Sequence, residues 1–228
     1  MKSAAIILAG GQGTRLGFSH PKQFALLGGR PLIDYSVEKF VALRVNIIVA
    51  VLVDDYQKYY QLHPAISTVA PAGKTRQESV YNGLKACPND TEIVFIHDSA
   101  RPFFPLKNVE EGLKLIEKNE FDGLAPVIPS TDTLVEAWGR QVISFPDRQK
   151  IFRTQTPQIF IFQKIFQAYE NLKENLKDCP FTDDLSLAQA AGLRCGLIEG
   201  SQMNFKITTE VDWHLAEELL SSGGLEFI

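Results

Sequence analysis

The stretch AAIILAGGQGTRLGFSHPKQF, Ala4 to Phe24, joins a short apolar run to a glycine-rich segment that carries an arginine and a lysine. The run Ala4 to Ala9 has no polar interruption, which is typical of a strand buried on both faces. The glycines match neither common phosphate-binding motif. A P-loop needs Lys-Ser or Lys-Thr directly after its last glycine, and the dinucleotide fingerprint needs G-x-G-x-x-G, but Gly17 falls one place too late. An anion bound here is therefore held in another way.

Similar apolar runs occur further along the chain, at Asn46 to Val53 and, more briefly, at Ile93 to Ile96. Between them, Leu32 to Leu43 and Glu78 to Ala86 carry apolar residues at helical spacing. Strands that alternate with helices predict the α/β class, with a mostly parallel twisted sheet flanked by helices. Ligands of such sheets bind beyond the carboxyl ends of the strands. The loops after the first and third apolar runs are therefore the first candidates for a site.

Two short runs of alternating polarity, DTLVEA and RQVISF, flank Trp138-Gly139 between Thr131 and Phe145. This pattern predicts a β-hairpin. An isolated hairpin buries too little apolar surface to be stable, so it should lie on the main domain or reach a second subunit. Further helices are predicted after an N-cap at Thr182 or Asp183, and from about Glu210 to Ser221.

The composition favours one soluble globular domain spanning residues 1–228. The chain has 45% hydrophobic and 22% charged residues, and it contains no linker, repeat or low-complexity run. No apolar run approaches a membrane span and no secretory signal is recognisable, which predicts a cytoplasmic protein without a membrane partner. The net charge of -4 gives no general attraction to nucleic acid. The three cysteines and four histidines have no metal-ligand spacing, which argues against a catalytic zinc.

The glycine-rich loop could bind phosphate groups through its backbone. Glycines let backbone N–H groups approach an anion closely, while Arg15 adds a fork of donors and Lys22 a point charge. Together they could hold a triphosphate and neutralise the charge that develops when its α-phosphorus is attacked. The alternative is an ordinary strand-to-helix turn with two solvated bases. Pro21 restrains the chain before Lys22, which favours a positioned cation.

Two other motifs carry polar residues to predicted strand or helix ends. In HDSARPF, His97 to Phe103, Asp98 could bind a metal or a ligand hydroxyl, with Arg101 three residues away. Its alternative is an aspartate that caps the next turn and pairs with its own arginine. In GKTRQESV, Gly73 to Val80, polar groups at a helix start suit an anion or the edge of a base, but helix capping explains them equally well.

Together these segments resemble the 2-C-methyl-D-erythritol 4-phosphate cytidylyltransferases of the non-mevalonate isoprenoid pathway. The matching segments are LAGGQGTR, PKQF, GKTRQESV, HDSARP, TDT, PDR with TQTPQ, FTDD and NFKIT, in the family's order from Ala4 to beyond Thr208. The resemblance implies a Rossmann-like nucleotidyltransferase fold with a protruding β-hairpin arm at about residues 130–152. It also implies a homodimer in which the arm of one subunit covers the active site of the other.

The reaction implied by the resemblance transfers CMP from CTP to the polyol phosphate with Mg2+ and releases pyrophosphate. The catalytic residues carried over are Arg15, Lys22 and Lys206. Those carried over for the nucleotide are Ala9, Gly10, Gly11, Gly13, Gly73, Arg76 and Ser79. Those carried over for the polyol phosphate are Asp98, Arg101, Thr133, Arg148 and Thr156. Mg2+ would be held mainly by the CTP phosphates, with Asp98 as a candidate ligand.

Other functions remain open at this stage. Ribitol 5-phosphate cytidylyltransferases share the glycine loop, PKQF, HDS and TPQ, but we expect HDSVRP in them, so Ala100 and the TDT segment favour methylerythritol phosphate. A non-catalytic nucleotide-binding relative would have lost its cations, whereas Arg15, Lys22, Arg148 and Lys206 are all present. A sugar-1-phosphate nucleotidyltransferase gives no reason for the hairpin or for TQTPQ.

Overall fold

The computed structural model describes residues 1–11, 20–60 and 63–223. Strands and helices alternate along this part of the chain. The strands are β1 (Ser3–Ala9), β2 (Leu26–Leu27), β3 (Arg30–Pro31), β4 (Ile47–Leu52), β5 (Thr68–Pro71), β6 (Ile93–Asp98), β7 (Gly123–Pro129), β8 (Glu136–Trp138), β9 (Gln141–Ser144), β10 (Phe152–Thr154), β11 (Gln158–Ile161) and β12 (Cys195–Glu199). The helices are α1 (Leu32–Ala42), α2 (Asp54–Tyr60), α3 (Arg76–Ala86), α4 (Leu106–Glu117), α5 (Phe162–Leu172), α6 (Asp184–Ala190) and α7 (Glu210–Ser221).

Eight strands form the central sheet, in the order β10-β7-β11-β6-β1-β4-β5, with β12 paired to β7. β1 runs parallel to β4 and β6, with Ala4 opposite Ile47 on one side and Val94 on the other. The pairs β4–β5 and β7–β12 are also parallel, whereas β10 and β11 run antiparallel to their neighbours. The predicted α/β fold is therefore confirmed. The carboxyl ends of β1, β4 and β6 share one edge of the sheet.

The side chains of β1 alternate between two hydrophobic clusters on opposite faces of the sheet. Ile6 belongs to the cluster that contains Leu84 of α3, and Ile7 to the cluster that contains Phe40 of α1. Full burial of one such side chain contributes about 1.5–3 kcal/mol, which is why the uninterrupted apolar run becomes the middle of the sheet. Gly83 lets α3 approach closely, because a Cβ at this position would lie 2.5 Å from Ile6 Cγ2.

Outside the hairpin, the predicted strands and helices agree with the observed ones to within about two residues. In the hairpin, the first predicted run begins at Asp132, whereas its strand, β8, begins at Glu136. α3 begins at Arg76 rather than at Glu78, and β6 ends at Asp98 rather than at Ile96. The predicted cap of α6 is confirmed at Asp183, whose carboxylate accepts a hydrogen bond from the Ser186 backbone N–H at 3.0 Å. The predicted last helix matches α7 at both ends.

The predicted hairpin is formed by β8 and β9, and Gly139 supplies the turn with a φ of 58°. Its apolar side chains are not covered by the described part of the chain. Trp138 is 82% exposed, and Val142, Ile143 and Phe145 are each more than half exposed. The expectation that the hairpin packs on the main domain is therefore not met. Contact with a second subunit, the other alternative, stays a prediction.

Among the described helices, none combines the length and the apolar character that crossing a lipid bilayer would require.

Candidate functional site

A cavity of about 430 Å³ opens at the edge of the sheet where β1 and β6 end. Its walls come from the loop after β1, the start of α3, the end of β6 and the segment before α7. This is the edge at which the sequence predicted a ligand. The predicted site residues that line the cavity are Gly10, Gly11, Lys22, Gly73, Arg76, Ser79, Asp98 and Lys206.

Three predicted site residues are engaged within the protein and do not line the cavity. Ala9 ends β1 and is fully buried in the core. Thr156 is 5% exposed, and its hydroxyl contacts His97 and the Asp98 backbone. Arg101 donates to backbone carbonyls. These residues lie behind the cavity wall and support it from the protein interior.

Two predicted residues, Thr133 and Arg148, lie on or beside the hairpin, are exposed and do not line the cavity of their own chain. Two others, Gly13 and Arg15, lie outside the described residues. The residues predicted for the polyol phosphate are thus divided between the sheet edge and the arm.

Glycine is required where the backbone closes around the cavity. A Cβ on Gly10 would lie 2.5 Å from Ala72 Cβ, and one on Gly73 would lie 2.2 Å from Glu78 Cβ. The Ser79 hydroxyl accepts a hydrogen bond from the Gly73 N–H at 2.9 Å and donates to the Thr75 carbonyl at 2.9 Å. These contacts hold the turn against the start of α3. The capping box of α3 uses Thr75 with Glu78, so Ser79 is not the cap.

Lys22 opens a short 3₁₀ helix directly after Pro21, and its amine donates a hydrogen bond to the Ile207 carbonyl. The neighbouring Gln23 is 4% exposed and donates from Nε2 to the Gly11 carbonyl at 2.7 Å. The PKQF segment therefore connects the start of the glycine loop, at Gly11, to the segment before α7. Gln23 belongs to the PKQF motif, but the sequence alone assigned it no role. Its role is visible only from the burial and hydrogen bond of its amide in the structure.

Asp98 at the end of β6 lies between two cations from distant parts of the chain. Arg76 Nε is 3.3 Å from its Oδ1, and Lys206 Nζ is 2.7 Å from its Oδ2. Arg76 also places Nη2 2.7 Å from Oδ2 of the fully buried Asp184. The alternative in which Asp98 pairs with the arginine of its own motif, Arg101, is therefore wrong.

The same cations determine the charge state of Asp98. Burial by itself would raise the pKa of this carboxyl, but the nearby Arg76 guanidinium and Lys206 ammonium hold the pKa well below its usual range. The pKa of Arg76 is lowered by burial but raised further by the Asp184 and Asp98 carboxylates, so it stays well above its ordinary value. Asp98 and Arg76 are thus both ionised near neutral pH.

His97 lies behind Asp98 and is completely buried. Its Nδ1 is 3.0 Å from the Thr156 hydroxyl, which also accepts a hydrogen bond from the Asp98 N–H at 3.1 Å. Its Nε2 is 3.1 Å from the Arg101 carbonyl, an acceptor, which requires the proton on Nε2. Burial lowers the pKa of His97 to about 3. The imidazole is therefore neutral and fixes the backbone on both sides of Asp98.

Arg101 connects the HDSARP motif to the segment that carries Lys206. Its Nη1 donates to the Asn204 carbonyl at 2.8 Å, and the Ile207 N–H donates to the Ala100 carbonyl at 2.9 Å. Gln155 Nε2 donates to the same Asn204 carbonyl at 3.1 Å. Gln155 and Asn204 occur in the TQTPQ and NFKIT motifs, but the sequence alone assigned them no role.

The charge of the cavity suits a polyanion. Lys22, Lys74, Arg76 and Lys206 line it, and Asp98 is the carboxylate among its described lining residues. Lys74 was missed as a site residue, although it directly follows Gly73. Within the described residues, no group of three His, Cys, Asp or Glu side chains could hold a metal ion by itself.

The fold and this cationic cavity define a nucleotide-binding protein of the Rossmann-like α/β class. Comparison with known proteins narrows this class. Residues 3–222 match the family model described as IspD: 2-C-methyl-D-erythritol 4-phosphate cytidylyltransferase. The chain is 36% identical to the protein of that name from Clostridium botulinum strain Langeland, over 96% of this chain and 97% of the relative. It is also 36% identical to the one from Caldicellulosiruptor bescii, over 98% and 99%.

A solved structure of 2-C-methyl-D-erythritol 4-phosphate cytidylyltransferase from Thermus thermophilus superposes with a TM-score of 0.78 at 29% identity, over 97% of this chain and 100% of the other. The chain belongs to the 2-C-methyl-D-erythritol 4-phosphate cytidylyltransferase family. The resemblance derived from the motifs is thereby confirmed.

Proposed function

We propose that this protein transfers CMP from CTP to 2-C-methyl-D-erythritol 4-phosphate, giving 4-CDP-2-C-methyl-D-erythritol and pyrophosphate. The observation that carries the proposal is the cationic cavity at the ends of β1 and β6, in a chain that belongs to this family. Such a cavity can bring two polyanions together against their mutual repulsion.

The nucleotide side is assigned to the glycine turns and the start of α3. Gly10, Gly11 and Gly73 bring backbone close to the ligand, and Ser79 keeps the Gly73 turn in place. Lys22 is assigned to the triphosphate and to the charge that develops on it. Arg15 shares this role in the proposal, on the strength of the sequence resemblance alone.

The polyol phosphate is assigned to the side of Asp98 and Lys206. The ionised Asp98 can accept hydrogen bonds from substrate hydroxyls, and the Lys206 ammonium, which has three donors, can keep its contact with Asp98 and also donate to a phosphate oxygen. Arg101 and Thr156 then support this side from within, because Nη1 and Nη2 of Arg101 donate to backbone carbonyls and the Thr156 hydroxyl accepts from the Asp98 N–H.

The chemical step is an in-line attack of a substrate phosphate oxygen on the α-phosphorus while pyrophosphate leaves. A phosphate monoester is largely ionised near neutral pH, so no side chain has to remove a proton. The residues of this chain act by positioning both anions and by stabilising the negative charge of the transition state. Lys22 and Lys206 are the described cations proposed for that stabilisation.

The donor set fits a magnesium ion that is bound mainly by phosphate oxygens and water. Mg2+ is commonly held by one or two carboxylates together with substrate phosphates, and Asp98 is the described lining carboxylate. When bound, the ion would neutralise phosphate charge. Asp98 would hold it, in exchange for part of its contact with Lys206.

We propose a homodimer in which the arm of each subunit covers the cavity of the other. The support is the exposed apolar surface of the arm, including Trp138 and Phe145, together with the absence of Thr133 and Arg148 from the described lining of their own cavity. In the dimer, those two residues would contact the substrate phosphate in the partner's site. The arm would then bury its apolar side chains.

We propose that residues 1–228 form one cytidylyltransferase domain that includes the arm at about residues 130–152. The support is the central sheet, which takes strands from β1 to β12, and the family match over residues 3–222. The cytoplasmic location stays a prediction from the sequence.

The test is pyrophosphate release with Mg2+ and CTP, with methylerythritol 4-phosphate and ribitol 5-phosphate supplied in parallel. ATP, GTP and UTP serve as nucleotide controls. We expect turnover with CTP and methylerythritol phosphate. Preference for ribitol phosphate would replace the acceptor and keep the chemistry, whereas no turnover with either would favour a non-catalytic nucleotide-binding protein.

A further inference from the structure

Asp184 is a fully buried carboxylate that does not line the cavity but is bound to a residue that does. It opens α6, it is 0% exposed, and its two oxygens each have one strong partner. The Tyr169 hydroxyl donates to Oδ1 at 2.6 Å, and Arg76 Nη2 lies 2.7 Å from Oδ2. A buried charge is costly unless it is paired and hydrogen-bonded. The Asp184 carboxylate therefore needs both its ion pair with Arg76 and its hydrogen bond from Tyr169.

Arg76 carries this interaction to the cavity. Its guanidinium holds Asp184 through Nη2 and Asp98 through Nε, 3.3 Å from Oδ1. Arg76 lines the cavity, whereas Asp184 does not. Because a guanidinium is planar, fixing one nitrogen against Asp184 fixes the direction from which the others meet Asp98.

The four charges alternate in sign along one line of contacts: Asp184, Arg76, Asp98 and Lys206. Asp98 is therefore held from one side by Arg76 and from the other by Lys206. Loss of the Asp184 charge would leave Arg76 with Asp98 as its remaining carboxylate partner in this cluster. Arg76 would then shift towards Asp98 and compete with Lys206 and with substrate hydroxyls.

We propose that Asp184 is a positioning residue for the reaction, which sets the place of Asp98 through Arg76. This assigns Arg76 to the polyol side of the cavity rather than to the nucleotide alone. The inference rests on the proposed function, because Asp98 is there assigned to the polyol phosphate. The nucleotide side, at Gly73 and Ser79, keeps its own contacts and does not depend on Asp184.

The experiment compares Asp184→Asn with Asp183→Asn. Asp183 is the adjacent carboxylate and caps the same helix, but its oxygens accept hydrogen bonds from Ser186 and Gln158, whereas those of Asp184 hold Arg76. For Asp184→Asn we expect a KM for the polyol phosphate raised on the order of tenfold, the size expected for a weakened hydrogen bond to a charged group. The KM for CTP should change less than about twofold. Asp183→Asn should lower the midpoint of thermal unfolding and leave both KM values unchanged.

A double-mutant cycle separates positioning from simple structural support. If Asp184 acts through Arg76, Asp184→Asn should add no further loss of kcat/KM in an Arg76→Gln background. The double variant should also be more stable than Arg76→Gln alone, because it no longer buries an unpaired carboxylate. Losses that multiply, or equal KM changes in both asparagine variants, would overturn the proposal.

A crystal structure of Asp184→Asn tests the inference without reference to turnover. We expect Arg76 and Asp98 to change position relative to each other in this variant and not in Asp183→Asn. Unchanged positions would overturn the inference even if the enzyme is active. A wild type that fails to use methylerythritol phosphate would overturn the acceptor assignment alone.

Discussion

Single residues of the site are held by protein acceptors before any ligand is bound. Lys206 lies 2.7 Å from Asp98, and Lys22 donates to the Ile207 carbonyl. Cations that already have a fixed place need less reorganisation when charge develops on a ligand. In the proposed reaction both lysines are therefore preorganised donors.

Replacing either lysine should remove most turnover without unfolding the protein. Lys22→Ala and Lys206→Ala should each lower kcat by about 100-fold or more, the size seen when one preorganised donor to a transition state is removed. Steady-state pyrophosphate release measures the loss. Lys164→Ala is the control, because Lys164 pairs with Asp122 and does not line the cavity. Near-normal turnover in either lysine variant would remove that residue from the mechanism.

The neutral His97 predicts a dependence of stability on pH. Its pKa is about 3 in the folded protein, below the value of about 6.5 in an unfolded chain, so the unfolded state binds the extra proton between these values. The free energy of unfolding should therefore fall as the pH is lowered, by about 2 kcal/mol between pH 7 and pH 5. The lowered pKa of Asp98 adds its own loss only at more acidic pH.

Urea denaturation at pH 7, 6 and 5 measures this effect. His97→Gln should lose the dependence in this range, and His97→Asn provides a second variant if the first does not fold. If the free energy of unfolding changes equally with pH in the wild type and in a folded variant, the buried imidazole is not neutral in the way proposed.

At the scale of elements, α3 connects the core to the cavity. Its start carries the Thr75 capping box and Arg76, while Gly83 packs against β1. Glycine is a poor helix former, so its presence in the middle of α3 reflects packing. The closeness of α3 to β1 in turn places Gly73 and Ser79 beside the end of that strand.

Gly83→Ala should destabilise the protein, although alanine favours helix. The new methyl group would lie 2.5 Å from Ile6 Cγ2 and 3.0 Å from Val51 Cγ2. Overpacking of this kind costs about 1–3 kcal/mol, which outweighs a gain in helix propensity of about 1 kcal/mol or less. Chemical denaturation checks the free energy of unfolding. Lys85→Ala, at an exposed position of α3, is the control and should change the free energy of unfolding by less than about 0.5 kcal/mol. An equally small effect of Gly83→Ala would contradict the packing argument.

At the scale of the whole molecule, the arm is the element whose apolar side chains the described part of the chain leaves exposed. β8 and β9 expose Trp138, Val142 and Ile143, and the neighbouring Arg148 is also exposed. Monomeric proteins rarely expose large contiguous apolar patches, and such patches commonly mark an interaction site. In the proposed dimer, a second copy of the chain would cover this surface and bring Arg148 to its cavity.

Mixed dimers should show whether the site is shared. Arg148→Ala and Lys206→Ala should each be nearly inactive alone, because each removes one cation from every site. After subunit exchange, half of the dimers should be mixed and one of their two sites intact, which predicts about a quarter of wild-type activity. Pyrophosphate release after mixing measures it. Exchange without recovered activity would contradict arm exchange.

The sequence by itself determined the class of fold and the family. Uninterrupted apolar runs and helical spacing depend on local periodicity, so β1, α1 and α7 could be placed to within about one residue. The ordered motifs identified the family and most of the residues that line the cavity. The hairpin also followed from local alternation of polarity around Trp138-Gly139.

Only the tertiary structure decided which charges meet. Asp98 pairs with Arg76 and Lys206, which are 22 and 108 residues away, and the sequence favoured no such pairing over Arg101. It likewise revealed that Thr156 and Arg101 are used internally and that Asp184 holds Arg76. Local periodicity reports burial along one segment, whereas an ion pair depends on how distant segments are brought together by the whole sheet.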